Sequence, residues 1–157
     1  MRVGQGYDVH PFAAGRRLVL GGVVFEGETG LAGHSDGDVL SHAVIDAVLG
    51  AAALGDIGAH FPSSDERLVG ADSIELLKQV TKLVAAAGQV IVNVDATVVA
   101  ERPRIGPRVT EMRQRLATGL GIAFDCVSVK ATTTDGLGAI GRGEGIAVMA
   151  VALVEPA

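Results

Sequence analysis

The chain contains 157 residues, a length typical of one domain that buries its own hydrophobic core. Hydrophobic residues make up 48% of it and charged residues 20%, which excludes an intrinsically disordered protein. The formal net charge of −5 argues against a nucleic-acid-binding surface, and the one cysteine, Cys126, excludes an internal disulfide. No apolar run approaches the roughly 18 residues of a membrane span, and no signal-peptide pattern is visible. We therefore expect a single domain, residues 1–157, of a cytoplasmic protein without a nucleic acid or membrane partner.

Hydrophobic periodicity and turn residues predict strands and helices that follow one another along the chain. Strands are predicted at residues 2–9, at 17–25 (two strands around a Gly-Gly turn), and at 89–100, 126–132 and 146–154; helices are predicted at 38–54, 72–88 and 107–121. This order predicts an α+β fold with one mixed sheet, helices packed on one face and ferredoxin-like βαβ elements. A mean hydropathy of +0.41 with 3% aromatics suggests apolar surface covered between subunits, although an alanine- and valine-rich core explains it as well.

Two segments carry more specific expectations. Residues 56–71 are polar or irregular and are predicted to form a long loop, which in a small domain is usually functional or mobile. In the strand predicted at 89–100, alternate apolar residues are expected to share one face. These are Val90, Val92, Val94, Ala96 and Val98.

Asp8 and His10 form an Asp-x-His pattern in the first predicted strand. Residues two apart on a strand project from the same face, so this carboxylate and imidazole can converge on one divalent ion. A turn-capping aspartate beside a surface histidine is the simpler alternative, because such tripeptides are common.

A second polar group enters the first predicted helix, where Asp38, His42 and Asp46 are spaced four apart and share one face. A histidine in a mostly apolar helix is more often a hydrogen-bonded core residue than a ligand. With carboxylates beside it, His42 could instead complete a three-ligand site with Asp8 and His10, and one of those carboxylates would hold its second nitrogen. The open fourth position is typical of catalytic zinc. Periodicity does not choose among His34, His42 and His60 as the third ligand.

Residues 132–145 combine hydroxyl groups, glycines and Arg142, the groups that a phosphate-binding loop uses. Residues 136–141 match G-x-G-x-x-G, but the dinucleotide motif must open a helix in a βαβ unit, whereas a strand is predicted here. We therefore reject a dinucleotide site. Asp135 is a candidate Mg²⁺ ligand, and a plain connection between strands is the alternative for the whole loop.

Two further loops each have a functional and a structural interpretation. Residues 56–62 form either an active-site lid or a long surface connection. Residues 101–106 combine two arginines with a proline-restrained turn, which suits contact with a nucleotide. Alone, that loop would be interpreted as a solvated entry to the next helix.

These segments together resemble the 2-C-methyl-D-erythritol 2,4-cyclodiphosphate synthase family of the non-mevalonate isoprenoid pathway. The resemblance covers essentially the whole chain, in family order, and its long central motif is highly specific. The matching stretches are GYDVH, HSDGDVLSHAVIDAVLGAAALGDIGAHFP, GADS, NVDATVVAERP, KATTTDGLG and GRGEGIA.

The resemblance implies a phosphorus–oxygen lyase that forms a homotrimer with its active sites at subunit interfaces. Its substrate is 4-diphosphocytidyl-2-C-methyl-D-erythritol 2-phosphate, whose 2-phosphate attacks the β-phosphorus to close a cyclic diphosphate and release CMP. The attacking phosphate is already ionised near neutral pH, so the reaction needs alignment and charge neutralisation rather than a strong base.

The resemblance also assigns residues. It implies Zn²⁺ on Asp8, His10 and His42, and a second divalent ion, Mg²⁺ or Mn²⁺, on Asp135 and the substrate phosphates. His34 and Thr133 match residues that stabilise the transition state. The other substrate-binding positions are Ser35, Asp56, Ile57, Gly58, Phe61, Pro62, Ser63, Ser64, Asp65, Thr132, Thr134, Ala139 and Arg142, and the cytidine-binding positions are Ala100, Glu101, Arg102, Pro103, Arg104, Ile105 and Gly106.

Two departures qualify the match. Asp135 stands where the family often has a longer glutamate, and Ala139 stands where a larger aromatic residue can occur. Tyr7, Arg142 and Glu144 match positions lining a central cavity in which some members bind an isoprenoid diphosphate. An ion pair between Arg142 and Glu144 that closes the trimer is the alternative.

Two other functions fit part of the pattern. A zinc phosphohydrolase would use the same three metal ligands to activate water, but it gives the cytidine loop no role. A trimeric sensor of isoprenoid diphosphates would use the central cavity and would not need the metal ligands.

Overall fold

The computed structural model describes residues 1–157, and every predicted strand and helix is present, with ends displaced by a few residues. The elements in chain order are β1 (Arg2–Pro11), β2 (Leu18–Leu20), β3 (Val23–Phe25), α1 (Val39–Ala52), α2 (Ile57–His60), α3 (Ser73–Ala86), β4 (Gln89–Val99), α4 (Val109–Leu120), β5 (Val127–Thr132), α5 (Gly138–Gly141) and β6 (Gly145–Pro156), with 3₁₀ turns at Glu66–Leu68, Gly106–Arg108 and Phe124–Cys126.

Four strands form one mixed sheet in the order β1-β6-β4-β5, and β2 and β3 form a separate hairpin. Strand β6 runs antiparallel to both of its neighbours, whereas β4 and β5 are parallel and are joined through α4. The predicted α+β fold with a mixed sheet is therefore confirmed, and β4-α4-β5 is one of its βαβ elements.

The strand directions bring three functional segments to one end of the sheet. Because β6 is antiparallel to β1 and to β4, the strands β1, β4 and β5 all point the same way. Their carboxyl ends carry Asp8 and His10, the loop from Ala100, and the loop from Thr132. Strands β1 and β5 are the two edges of the sheet, separated by three inter-strand spacings, or roughly 14 Å.

Helices α1, α3 and α4 pack against the sheet, and α1 crosses β1 and β6. It lies directly on the backbone of β1, since a Cβ atom at Gly4 or Gly6 would overlap the backbone of α1 at Ala47 and Ala43. Glycine is required at both positions because the two backbones touch.

The other face of β1 and β6 is not covered by the chain. Alternation along β1 places Val3, Tyr7 and Val9 on this face, where they are exposed. Met149, directly opposite Tyr7, and Val151 on β6 continue the exposed apolar surface. We call these five residues the open sheet face.

The expected face of β4 is wrong at its first half. Pairing with β6 shifts between Ile91 and Asn93, so Val92 is an extra residue in the strand. A bulge of one residue reverses the alternation. Ile91 is therefore buried with Val94 and the later members of the pattern, while Val90 is exposed and Val92 is only partly buried.

The segment 56–71 is more ordered than the sequence suggested. It contains α2 and a 3₁₀ turn, each begun by an aspartate that caps it: Asp56 accepts from the amide of Ala59, and Asp65 from that of Arg67.

None of the helices of the protein is long and apolar enough to cross a bilayer.

Candidate metal centre and substrate cavity

Asp8, His10 and His42 bring three ligand atoms to one point. Asp8 Oδ2 lies 2.9 Å from His10 Nε2 and 3.2 Å from His42 Nδ1, and the three atoms lie within 4.8 Å of one another. Of the three histidines left open by the periodicity, His42 is the one that joins the pair on β1.

The local fold explains this convergence. Alternation along β1 turns Asp8 and His10 to the same side as Gly4 and Gly6, which is the side that α1 covers. The contact between Gly6 and Ala43 holds α1 against β1 one residue from His42. Two glycines without side chains therefore bring the helical ligand within reach of the strand ligands.

The second nitrogen of His42 is held by two hydroxyl groups, not by a flanking carboxylate as expected. His42 Nε2 lies 2.9 Å from Ser35 Oγ and 3.0 Å from Ser73 Oγ. The predicted helix-face carboxylates have other partners. Asp38 accepts hydrogen bonds from Gly21, Gly22 and Ser41, and Asp46 accepts one from the amide of Ile57.

The electrostatics favour a cation at this point. Burial by itself would raise the pKa of Asp8, but hydrogen bonds from His10 and His42 outweigh it and hold that pKa well below its usual range. Burial would lower the pKa of His42, but the hydrogen bond to Asp8 and the charges of Asp38 and Asp8 raise it. An ionised carboxylate therefore lies within 3.2 Å of two imidazole nitrogens, which is an arrangement suited to a bound cation.

The donor set fits a metal with three protein ligands. Two imidazole nitrogens and one carboxylate oxygen, opening onto a cavity, are the ligands and the geometry of catalytic zinc sites. Asp8, His10 and His42 therefore form a candidate metal site. His10 differs from His42 in that its other nitrogen, Nδ1, is buried beside Gly33 with no hydrogen-bond partner.

A cavity of about 270 Å³ extends from the candidate metal site. His34, Ser35, Ile57, Gly58, Phe61 and Ser63, all predicted to contact substrate, line it together with Asp46. His34 Nε2 donates to the carbonyl of Asp65 at 2.9 Å, which ties the segment after α2 to the site. Asp56, Pro62, Ser64 and Asp65 do not line the cavity; the ion pair with Arg67, at 2.7 Å, lowers the pKa of Asp65 to about 2.

The predicted cytidine-binding residues lie elsewhere. Six of them, with Thr132 and Thr133, line a separate cavity of about 590 Å³ at the carboxyl ends of β4 and β5: Ala100, Glu101, Pro103, Arg104, Ile105 and Gly106. Arg102 and Arg142 line a third cavity, beside Phe12. None of these residues lines the metal cavity, whereas Glu101 lines both of the other two cavities, so one chain places its predicted site residues in two regions: the metal cavity, and the pair of cavities around Glu101.

Glu101 connects the two loops of this second region. Its Oε1 accepts hydrogen bonds from the amides of Thr134 and Gly136, at 3.1 and 3.3 Å. Thr133 Oγ1 donates to Asp135 Oδ1 at 3.2 Å, and Asp135 itself adopts a positive φ of 53°. Asp135 joins no cluster of metal-ligating side chains in this chain, so its role toward a second ion stays a prediction.

The structure also shows the surroundings of Arg142 and Ala139, two residues that were predicted to contact substrate. Arg142 Nε donates to Glu144 Oε1 at 2.6 Å, so this ion pair forms within one chain. Ala139 lies in α5, a turn that the sequence did not predict inside the glycine-rich loop. The strand predicted after it, on which the rejection of a dinucleotide site rested, is confirmed as β6.

Ser73 and Asp36 are site residues that the sequence reasoning missed. Ser73 had been interpreted only as the start of a helix, but its hydroxyl contacts His42 and its amide and hydroxyl both donate to Asp36. Both residues lie in stretches that match the family, HSDGD and GADS, but no spacing rule assigned either of them to the metal site. Ser73 faces inward because α3 packs against α1, which carries His42.

Comparisons with known proteins agree with this geometry. The YgbB family model matches residues 1–155. A 2-C-methyl-D-erythritol 2,4-cyclodiphosphate synthase of Syntrophomonas wolfei is 57% identical over 157 residues, which cover 100% of both chains.

Solved structures give the same result. The bifunctional IspDF of Campylobacter jejuni superposes with a TM-score of 0.96 at 42% identity, over 99% of this chain and 42% of that one. IspF of Plasmodium falciparum, in a CDP complex, gives a TM-score of 0.85 at 34% identity, over 99% of this chain and 96% of that one. With a family model that spans nearly every residue and relatives that match from end to end, the chain belongs to the YgbB family.

Proposed function

We propose that this protein converts 4-diphosphocytidyl-2-C-methyl-D-erythritol 2-phosphate into 2-C-methyl-D-erythritol 2,4-cyclodiphosphate and CMP, as a phosphorus–oxygen lyase of the non-mevalonate isoprenoid pathway. The observation that carries the proposal is the 57% identity over the full length to a relative named for this activity. The candidate metal site supports it, because such a reaction needs charge neutralised on phosphate oxygens.

The reaction is an intramolecular phosphoryl transfer. An oxygen of the 2-phosphate forms a bond to the β-phosphorus, and the bond from that phosphorus to the bridging oxygen breaks, so CMP leaves with the electron pair. No water is consumed and no proton has to be removed from the nucleophile. Alignment of the two phosphates and stabilisation of their charge are the main tasks of the protein.

Asp8, His10 and His42 are the residues that would hold Zn²⁺. When bound, the ion would place positive charge beside the substrate phosphates. His34 lies in the same cavity, with its Nε2 already fixed on Asp65, so its ring is oriented before substrate binds. Asp46 accepts the amide of Ile57, and Ile57 and Gly58 would form the wall of the cavity that faces the methylerythritol part.

The loop 100–106 is proposed to take the cytidine, and the Thr132–Asp135 turn the diphosphate. The CDP complex of the Plasmodium falciparum relative supports a cytidine nucleotide as the ligand. Glu101 couples the two loops, so filling the nucleotide cavity would also fix Thr133. Asp135, near Thr133, is the proposed ligand of a second Mg²⁺ or Mn²⁺ ion.

A homotrimer would unite the two regions of the site. Within one chain the metal cavity and the cavity at the loops after β4 and β5 share no lining residue. A second copy whose β5 edge lies beside the β1 edge of the first would close the gap, and the open sheet face provides apolar surface for such an assembly. An isoprenoid diphosphate in the central cavity and a cytoplasmic location stay predictions.

The test is a product analysis with the purified full chain and the proposed substrate. CMP and the second product are followed by mass spectrometry in ¹⁸O-water, with and without chelator. Metal-dependent CMP release with an unlabelled cyclic diphosphate is expected. A labelled open-chain product would instead identify a phosphohydrolase, and binding of isoprenoid diphosphates without turnover would identify a sensor.

A further inference from the structure

We propose that Asp36 and Ser73 are positioning residues that fix the tautomer and orientation of the metal ligand His42 through a hydrogen-bonded relay. The inference rests on the proposed metal site at Asp8, His10 and His42. It extends that site by two residues that lie on neither metal-bearing segment, since Asp36 precedes α1 and Ser73 begins α3.

The relay is continuous from carboxylate to metal site. Asp36 Oδ1 lies 2.5 Å from Ser73 Oγ, and Asp36 Oδ2 accepts the amide of Ser73 at 3.0 Å. Ser73 Oγ lies 3.0 Å from His42 Nε2, and His42 Nδ1 lies 3.2 Å from Asp8 Oδ2. The contacts from Asp36 through Ser73 to His42 Nε2 have lengths typical of hydrogen bonds, and the last pair, His42 Nδ1 and Asp8 Oδ2, are the two atoms that would share the metal ion.

Proton counting gives the relay a direction. The Asp36 carboxylate only accepts, so the single hydroxyl proton of Ser73 points toward it. Ser73 Oγ then faces His42 as an acceptor, which favours the tautomer whose Nε2 carries the proton. A neutral imidazole has one protonated nitrogen, so a proton held on Nε2 leaves the lone pair of Nδ1 for a metal ion, in place of the proton that Nδ1 shares with Asp8 when no metal is bound.

Burial makes this preference effective. Ser73 is fully buried, Ser35 is 5% exposed and His42 is 9% exposed, so water does not compete for Nε2. Ser35 Oγ is a second hydroxyl partner of Nε2, at 2.9 Å. His10 has no such support, because its second nitrogen is unpartnered, and His42 is therefore the ligand whose orientation is set by hydrogen bonds.

A simple structural role does not account for the contacts. Ser73 is the first residue of α3, and its helix is capped by Asp72, which accepts the amide of Ile74 at 2.8 Å. The amide of Ser73 already ties α3 to Asp36. The hydroxyl adds nothing to the cap and instead reaches the metal ligand.

The experiment measures the Zn²⁺ affinity of the full chain by competition with a chromophoric chelator. Outer partners of metal ligands typically contribute 10–100-fold in affinity, so Ser73→Ala should weaken binding by about that factor. Ser41→Ala is the matched control. Ser41 precedes His42 in the chain, is also fully buried, and donates its hydroxyl to a buried aspartate, Asp38, but that hydroxyl forms no hydrogen bond to a metal ligand. The Zn²⁺ affinity of Ser41→Ala should stay within about twofold of that of the wild type.

A second variant tests the direction of the relay. In Asp36→Asn the amide can donate to Ser73 Oγ and turn the hydroxyl proton toward His42, which favours the wrong tautomer. Asp36→Asn should therefore weaken Zn²⁺ binding in the wild-type background but add little in the Ser73→Ala background, because both changes break one relay. The visible spectrum of bound Co²⁺ should shift in both variants.

The outcomes separate the relay from the metal site. If Ser73→Ala and Asp36→Asn both keep wild-type affinity, or if their losses add fully, the relay is wrong while the metal site stands. If the wild type binds no Zn²⁺, or if His42→Ala still binds it as tightly, the proposed metal site itself fails, and the relay with it. Metal-free thermal unfolding of each variant checks that the protein is folded.

Discussion

Gly6 and Ala43 are in direct backbone contact, and this contact places the helix that carries His42 against the strand that carries Asp8 and His10. A methyl group at position 6 would overlap the carbonyl oxygen of Ala43, which cannot move without shifting α1. We expect Gly6→Ala to destabilise the protein by about 1–3 kcal/mol or more, as overpacking does. It should also weaken Zn²⁺ binding, since His42 moves away from its partners. Chemical denaturation and the chelator competition measure the two effects.

Gly50→Ala is the control for Gly6→Ala. Gly50 lies on the same helix, is exposed, and a Cβ atom there would meet nothing closer than 3.9 Å. Alanine should therefore stabilise α1 by roughly 0.5–1 kcal/mol, the usual gain over glycine in a helix. Equal effects of the two substitutions would show that the backbone contact has no special importance.

The sequence was sufficient for the elements that have strong periodicity or clear caps. Helix α1 and the alternation of β1 follow from local pattern, and with them the shared face of Asp8 and His10. The bulge at Val92 could not be read from the sequence, because its position depends on the pairing of β4 with β6. Long-range register has no local signal.

The site shows the same division. Spacing found Asp8 and His10, but only packing selects His42 over His34 and His60. The partners of its second nitrogen, Ser35 and Ser73, come from two other segments, so helical spacing pointed to Asp38 and Asp46 instead. Ser35 lies between β3 and α1 and Ser73 begins α3, so these hydroxyls meet only through the packing of α3 on α1, which has no periodic signal in the sequence.

Asp46 provides a test by pH. Burial, together with the charges of Asp56 and Asp8, raises the pKa of Asp46 above its ordinary value. A carboxyl whose pKa is raised by folding contributes stability that is complete below its unfolded pKa and is lost as the pH rises through its folded pKa. Asp46→Asn keeps an oxygen for the amide of Ile57 but removes the charge. Its melting temperature in chelator should therefore exceed that of wild type near neutral pH.

The advantage of Asp46→Asn should disappear as the pH falls to about 4, near the ordinary pKa of the carboxyl, where wild-type Asp46 becomes neutral as well. Melting curves at several pH values measure the difference. A constant difference between the two proteins at every pH would mean that the Asp46 charge is not what burial penalises. Asp72→Asn serves as a comparison. Asp72 is the exposed N-cap of α3, and its carboxylate lies outside the metal cavity.

The open sheet face predicts the effect of a charge on assembly. Met149 lies opposite Tyr7, and both are exposed although apolar. Met149→Glu should leave the secondary structure intact but lower the molar mass in solution to that of a monomer, because burying the charge between copies is unfavourable. Light scattering after size-exclusion chromatography measures this. Leu83→Glu is the control, because Leu83 is exposed to a similar extent, 38%, but lies on α3 rather than on the open sheet face. It should leave the molar mass unchanged. A trimer that survives Met149→Glu would argue against the open sheet face as the contact between copies.

Glu101 should act on the reaction through the loop that it holds. Glu101→Ala removes the acceptor of Thr134 and Gly136, so the turn that carries Thr133 loses its anchor. We expect a fall in kcat that Glu101→Gln largely restores, because the amide oxygen can accept the same two hydrogen bonds. Steady-state kinetics of both variants decide. If glutamine is as damaging as alanine, the charge of Glu101, rather than its hold on the loop, is what the reaction requires.

A mixture of two inactive variants tests whether each site is shared between chains. Thr133→Ala should lower kcat roughly 10²–10³-fold, as the loss of one transition-state donor does, and His42→Ala removes a metal ligand. The two residues lie in separate regions of one chain, so a trimer with shared sites can combine an intact metal triad from one variant with an intact Thr133 from the other. Random assortment in a cyclic trimer makes about a quarter of the sites complete. Co-expressed variants should therefore recover about that fraction of wild-type turnover. Turnover no higher than that of the separate parents would place each site within a single chain.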